Sequence, residues 1–210
     1  PIIWEDQIIL LSAVQTDQKF EPEQPGDEQE ERDWMNPKST DYIHKFVVVS
    51  VDRNSGGIRW QTTVREELPY SHTHEFGSWA SNSPVTDGEH IYAYFGSHGL
   101  YCLNFQGEIL WERDLGRMEK VMSFGEGSSP SLYKDKLIVL RDHQGQSMLH
   151  VLDKSTGDIL WEVKRDEVSS WSTPVVIEYE GSPQLVTSAT NKIRSYNLEN
   201  GEVLWECGFI

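Results

Sequence analysis

The chain has 210 residues, 37% hydrophobic and 11% aromatic, enough to bury one sizeable core. A formal net charge of −16, from 18 Lys plus Arg against 34 Asp plus Glu, supplies no basic face and argues against nucleic acid or an anionic membrane as partner. The apolar runs, such as Ile8–Leu11 and Phe46–Val49, fall far short of the roughly 20 residues that cross a bilayer, so no transmembrane segment is expected.

In chain order, Pro1-Ile2-Ile3 reads as the remainder of a marker that recurs further on. The start at Pro1 without Met, and the stop at Ile210 just after a strand-like segment, read as a fragment; any signal peptide has been removed or was never included. Within the first unit, residues 15–45 form an acidic insertion that contains Glu21-Pro-Glu-Gln-Pro-Gly-Asp-Glu-Gln-Glu-Glu-Arg-Asp33. It lacks apolar periodicity, so a mobile, solvated charge run is expected, and no EF-hand spacing supports calcium there. The connection Leu68–Glu75 follows. His72 and His74, two apart, share one side of an extended segment with Glu75 adjacent. Two imidazoles and a carboxylate suit a divalent transition metal, with His98 or His143 completing the shell. The plainer reading is a polar surface loop.

Four segments are alike: Val51–Trp60, Leu103–Trp111, Leu152–Trp161 and Tyr196–Trp205. Each carries an Asp or Asn, then a Gly, and ends on Trp, and the tryptophans Trp60, Trp111, Trp161 and Trp205 are 51, 50 and 44 residues apart. A second marker alternates with them: Asn82-Ser-Pro84, Ser128-Ser-Pro130 and Ser172-Thr-Pro174. In the second unit the spacing predicts strands at Pro84-Val85, His90–Phe95, Leu100–Asn104 and Ile109–Arg113, separated by turn signals at Asp87-Gly88, Ser97-His98-Gly99 and Gln106-Gly107. In the third, Asp153 and Thr156 bond the turn backbone and Gly157 takes its left-handed position. A repeated four-stranded antiparallel unit of this length is a propeller blade. The blades are expected at 1–65, 80–115, 127–165 and 171–207. Each Trp offers a large apolar face for blade docking, and close stacking needs small partners such as those aligned at Ser50, Cys102, Val151 and Ser195. Cys102 is thus read as a packing residue.

The run Asp153-Lys-Ser-Thr-Gly157 with Leu160-Trp161, preceded by Ser-Ser-Pro and Leu149-His-Val-Leu152, resembles the PQQ-type (quinoprotein-like) β-propeller repeat. Unit two is one residue short in its turn, and Asn104 and Asn197 stand where the family prefers Asp. The resemblance, which extends to exported bacterial propellers, implies an all-β ring of seven or eight blades, of which four are present. It implies a periplasmic or secreted location. It leaves two functions open: a binding scaffold, or a fragment of a PQQ-dependent oxidoreductase.

Blade topology places the second-to-third-strand loops and the blade-to-blade connections on one face. That face collects His72, His74, Glu75, Trp79, His98, Glu126, Asp142, His143, Trp171 and Asn191 as ligand candidates. Trp79 and Trp171 could stack on a planar ligand or plug the inner strands. A quinoprotein dehydrogenase uses an aromatic floor, often a vicinal cysteine pair, a calcium site and an Asp base. With no adjacent cysteines and no recognisable calcium-and-base cluster, the reading favours a non-catalytic surface for a protein, glycan or peptide, with no cofactor and PQQ plus calcium as the alternative. A half-ring exposes two blade faces, so a homodimer completing an eight-blade ring, or a longer polypeptide, is expected.

Overall fold

A computed structural model describes residues 1–20 and 40–208. These form four separate four-stranded antiparallel sheets that do not close into a ring. Blade 1 holds β1 (Ile2–Trp4), β2 (Gln7–Lys19), β3 (Tyr42–Asp52) and β4 (Ile58–Glu67). Blade 2 holds β5 (Val85–Thr86), β6 (His90–Tyr94), β7 (Leu100–Asn104) and β8 (Ile109–Arg113). Blade 3 holds β9 (Ser131–Tyr133), β10 (Lys136–Arg141), β11 (Ser147–Asp153) and β12 (Ile159–Arg165). Blade 4 holds β13 (Val175–Tyr179), β14 (Ser182–Ser188), β15 (Lys192–Asn197) and β16 (Val203–Gly208). The sequence expectation of four-stranded blades is met, with strand ends in the second unit shifted by a residue. The acidic run Glu21–Asp33 lies outside the described residues; β2 and β3 flank it and occupy the ends of the 15–45 span.

The local chemistry of the last hairpin explains why the unit repeats. In blade 3 the Asp153 carboxylate accepts hydrogen bonds from the amides of Ser155 (2.7 Å) and Thr156 (3.2 Å), while Gly157 N donates to Asp153 O at 2.8 Å. Asn197 does the same work with its amide oxygen, accepting from Glu199 N at 2.8 Å. Departing from Asp therefore leaves the turn intact, because only an acceptor is needed. Beyond the turn each blade carries the same β-bulge, after which Trp60, Trp111, Trp161 and Trp205 pair with Ser50, Cys102, Val151 and Ser195.

Blades are joined by those tryptophans. The indole N–H of Trp60, Trp111 and Trp161 donates to Phe105 O, Lys154 O and Leu198 O at 2.9, 3.2 and 3.0 Å, each carbonyl one residue past the turn Asp or Asn of the next blade. The rings then cover the turn glycines. A Cβ built on Gly157 (φ +72°) would lie 2.6 Å from Trp111 Cε3. Gly181 (φ +78°) has nothing within 4 Å, so Gly181→Ala bears only the left-handed strain of about 1 kcal/mol, whereas Gly157→Ala adds overpacking and costs about 2 kcal/mol. Equal losses in chemical unfolding would refute indole coverage as the reason for this glycine. Between the blades lie apolar layers, for example Tyr92, Tyr94, Leu100, Cys102, Met118, Leu137, Val139 and Leu152 between blades 2 and 3. Burial there pushes the Cys102 thiol up to about 12, which suits packing rather than nucleophilic chemistry.

Candidate functional site

The Pro-containing marker sits on the innermost edge, where it laces consecutive blades together. Asn82 Nδ2 donates to Ser128 O (2.6 Å) and Ser128 Oγ to Ser172 O (2.8 Å). One residue on, Ser83 N donates to Ser129 Oγ (2.9 Å) and Ser129 N to Thr173 Oγ1 (3.1 Å). A small hydroxyl or amide followed by a hydroxyl is what both rungs require.

Above this belt the loop face gathers the candidate residues, and most of them are spoken for. His98 is buried and stacked between Phe46 (4.0 Å between centroids) and Tyr70 (4.8 Å), with Nδ1 2.7 Å from Glu67 Oε1. Burial lowers its pKa despite that carboxylate. Glu126 turns its carboxylate onto the tight turn Gly96–His98, accepting from Ser97 N at 2.6 Å and from Ser97 Oγ. A Cβ at Gly96 would collide with that carboxylate, and desolvation raises its pKa. His143 Nδ1 accepts from Glu119 N (3.2 Å) and Gly145 N (3.1 Å), leaving Nε2 to donate to Gln146 O at 3.0 Å. Asn191 N donates to Glu167 Oε2 at 2.9 Å. Trp79 donates to Ser71 O at 2.7 Å and meets His44 edge-on at 4.6 Å.

Asp142 is fully enclosed in a bidentate pair with Arg165 (2.8 and 3.2 Å) and also accepts from Ser170 Oγ at 2.9 Å. Arg165 continues into blade 4, donating to Thr187 Oγ1 at 3.0 Å and to Tyr196 Oη. Beside this pair lies Lys120, which the sequence did not flag. Its buried ammonium donates to Asp142 O (2.5 Å) and Ser170 O (2.7 Å), and burial pulls its pKa down to about 8. One overlooked signal was readable: Arg65-Glu-Glu67 and Arg165-Asp-Glu167 recur at the ends of fourth strands. Each final Glu clasps the next blade, Glu67 through His98 and Glu167 through Asn191 and Arg194 Nη1 (2.8 Å).

His72 and His74 are half-buried and Glu75 exposed, and His74 Nδ1 accepts from Phe76 N at 3.2 Å. Among the described residues no three His, Cys, Asp or Glu side chains stand together as a metal site would require. The enclosed space lined by Tyr70, Trp79, Ser97, His98 and Glu126 measures about 10 Å³, room for one water. The carboxylates of Asp142 and Glu126 are committed to Arg165 and Ser97.

Part of what remains outward is aromatic. His74 lies 5.5 Å from Phe76 and 6.2 Å from Phe124, and Phe124 lies 6.3 Å from Trp171, making one continuous row of four rings. Phe76 is 87% exposed and Trp171 40%, and Met122, two residues before Phe124 in the chain, is 53% exposed. Met122 and Ser123 both hold left-handed backbone, at φ +52° and +53°.

A family model described as outer membrane protein assembly factor BamB matches residues 44–208. Among solved structures, BamB from Moraxella catarrhalis overlays 82% of this chain on 50% of its own, at 18% identity and TM-score 0.53. Quinohemoprotein alcohol dehydrogenase from Comamonas testosteroni overlays 97% on 37%, at 12% identity and TM-score 0.55. The chain thus spans about half the length of the first and little over a third of the second, and these likenesses are of fold. No curated protein matches by sequence. An enzyme and an assembly factor share the architecture, and the family match is with the second: the chain belongs to the PQQ-type propeller-repeat family described by the outer membrane protein assembly factor BamB.

Proposed function

We propose that this propeller is a non-catalytic scaffold that binds a partner protein through its loop face, in a periplasmic or secreted setting. The observation that carries this reading is the row Phe76–His74–Phe124–Trp171 with Met122. Water-exposed apolar rows of this kind mark interaction surfaces, and aromatic and Met side chains are the usual anchors. Two consecutive non-glycine residues in left-handed backbone cost roughly 1 kcal/mol each, a strain that points to presentation rather than to stability. The rings are tilted by 47°, 57° and 53°, which suits interdigitating side chains better than the flat stacking of a sugar or quinone. A peptide segment with apolar anchors is thus preferred to a glycan. The assembly role in the family's description fits such a surface, and completion of the ring by a second copy belongs to the same proposal.

Selection of displayed random peptides on the immobilised chain should enrich sequences with spaced aromatic or aliphatic residues. Phe76→Ser with Met122→Ser should lower that enrichment at least about tenfold while the melting temperature moves by less than about 2 °C, since both side chains are exposed. Unchanged enrichment removes the row as the binding surface. Tight binding of PQQ with calcium, accompanied by dye reduction, would replace the scaffold reading with the oxidoreductase one.

A further inference from the structure

The apolar layer between blades 2 and 3 holds a charge where the equivalent positions of its neighbours do not. Lys136 lies opposite Asp153 in blade 3, His90 opposite Asn104 in blade 2 and Gln184 opposite Asn197 in blade 4. In that common register Arg141 takes the place of Phe95 and Ala189, both buried and apolar. Arg141 alternates along the strand with Leu137 and Val139, so it enters the layer that Tyr92, Tyr94 and Leu100 complete from blade 2.

Three arginines are buried among the described residues. Arg165 and Arg194 each meet a carboxylate at 2.8 Å, whereas Arg141, 5% exposed, forms no ion pair there. Its Nη2 donates to Arg117 O at 3.2 Å and its Nε has no partner. A buried guanidinium without a counter-charge is strongly unfavourable. Two more orphaned groups share the space. Tyr94 Oη is buried without a partner, and so are both ring nitrogens of His150; Glu162 Oε2 lies 3.3 Å from Nδ1 outside hydrogen-bond geometry. Val139 lies opposite His150, which makes His150 and Arg141 diagonal neighbours on one face of blade 3, within reach of long side chains. The Arg141 charge acts on the ionisation of both Tyr94 and His150. Leu115 and Met118 pack onto the same layer, and a Cβ on Gly116 would lie 3.7 Å from Arg141 Nη2, so the connection between the blades closes over the guanidinium.

We propose that Tyr94, Arg141 and His150 form a buried site for one halide ion of the chloride class between blades 2 and 3. Arg141 supplies the charge and the Nε–H, Tyr94 its O–H, and the neutral His150 ring its single N–H. A water would answer the hydrogen bonds but leave the Arg141 charge unbalanced. The rim of Leu100, Met118, Val139 and Leu152 offers no side-chain donors, so a monoatomic, weakly hydrated anion fits where sulfate or phosphate, with four oxygens to satisfy, does not. The ion would tie the two blades together, and the site is independent of the aromatic row.

Thermal unfolding of the 210-residue chain in sodium bromide and in sodium fluoride at matched ionic strength tests the site, because fluoride is too strongly hydrated to enter. Replacing about 200 mM fluoride by bromide at neutral pH should raise the wild-type melting temperature by at least about 3 °C, through binding to the folded state alone. That rise runs against the weaker salting-out by bromide. Tyr94→Phe removes one hydroxyl and keeps the ring in the layer, so half the rise should need at least about tenfold more bromide. Arg141→Met should abolish the rise altogether. In crystals grown with bromide, the anomalous signal should peak between the three side chains. Equal or lower melting in bromide overturns the inference, as does a rise that survives unchanged in Tyr94→Phe or Arg141→Met. A water between the three donors, with bromide confined to the molecular surface, also overturns it and gives the space to a structural water.

Discussion

Arg165→Met lowers the stability of the chain by about 3–5 kcal/mol, the largest loss expected from any single charge removal here. Both side chains of the Arg165–Asp142 pair are wholly enclosed, and Met leaves the Asp142 carboxylate with Ser170 Oγ as its remaining side-chain donor. The loss is also structural across blades, because Arg165 is the group that reaches Thr187 and Tyr196 of blade 4. Urea unfolding measures it directly. The double variant Arg165→Met with Asp142→Asn should be more stable than the two single losses added together, by about 0.5–3 kcal/mol, since no lone charge then stays buried. Strict additivity, or a loss under about 1 kcal/mol for Arg165→Met, would show that the pair does not hold blades 3 and 4 together.

The fold was legible because blade chemistry is local. An Asp or Asn, a left-handed Gly and a Trp fall within ten residues, and each does its work on the same hairpin or on the adjacent blade at a fixed spacing. The loop face was legible as a location, for the same topological reason. What His98, Glu126, Asp142 and His143 do there was not legible. Their partners Glu67, Ser97, Arg165 and Glu119 lie 23 to 31 residues away, or in connections with no repeat pattern. A polar residue near a channel mouth looks the same in sequence whether it faces a ligand or clasps its neighbour. Lys120 and the aromatic row were hidden more deeply, since Phe76, Met122 and Phe124 sit in irregular connections where no periodicity assigns a direction to a side chain.

His150 supplies the second large effect, and it depends on pH. Its ring is 4% exposed, on the face of β11 that shares the apolar layer between blades 2 and 3. Neither ring nitrogen has a hydrogen-bond partner; Glu162 Oε2 lies 3.3 Å from Nδ1, and the hydroxyl of Tyr94 and Nε of Arg141 are likewise unpaired. Burial, reinforced by the Arg141 charge, pulls the His150 pKa from 6.5 down to about 4. The folded chain thus keeps the ring neutral where the unfolded chain protonates it. The unfolded state binds the extra proton between those values, so stability is full above pH 6.5 and falls by about 3 kcal/mol as pH drops to about 4. His98 and His143 are shifted in the same direction, while the raised carboxyl of Glu126 acts in the opposite sense as pH climbs above 4.5. Those contributions are common to wild type and His150→Phe and cancel in their difference. The difference should therefore move toward the variant by about 3 kcal/mol between pH 7 and pH 4, and a difference that stays flat across that range would mean the buried imidazole is not what makes this interface acid-sensitive.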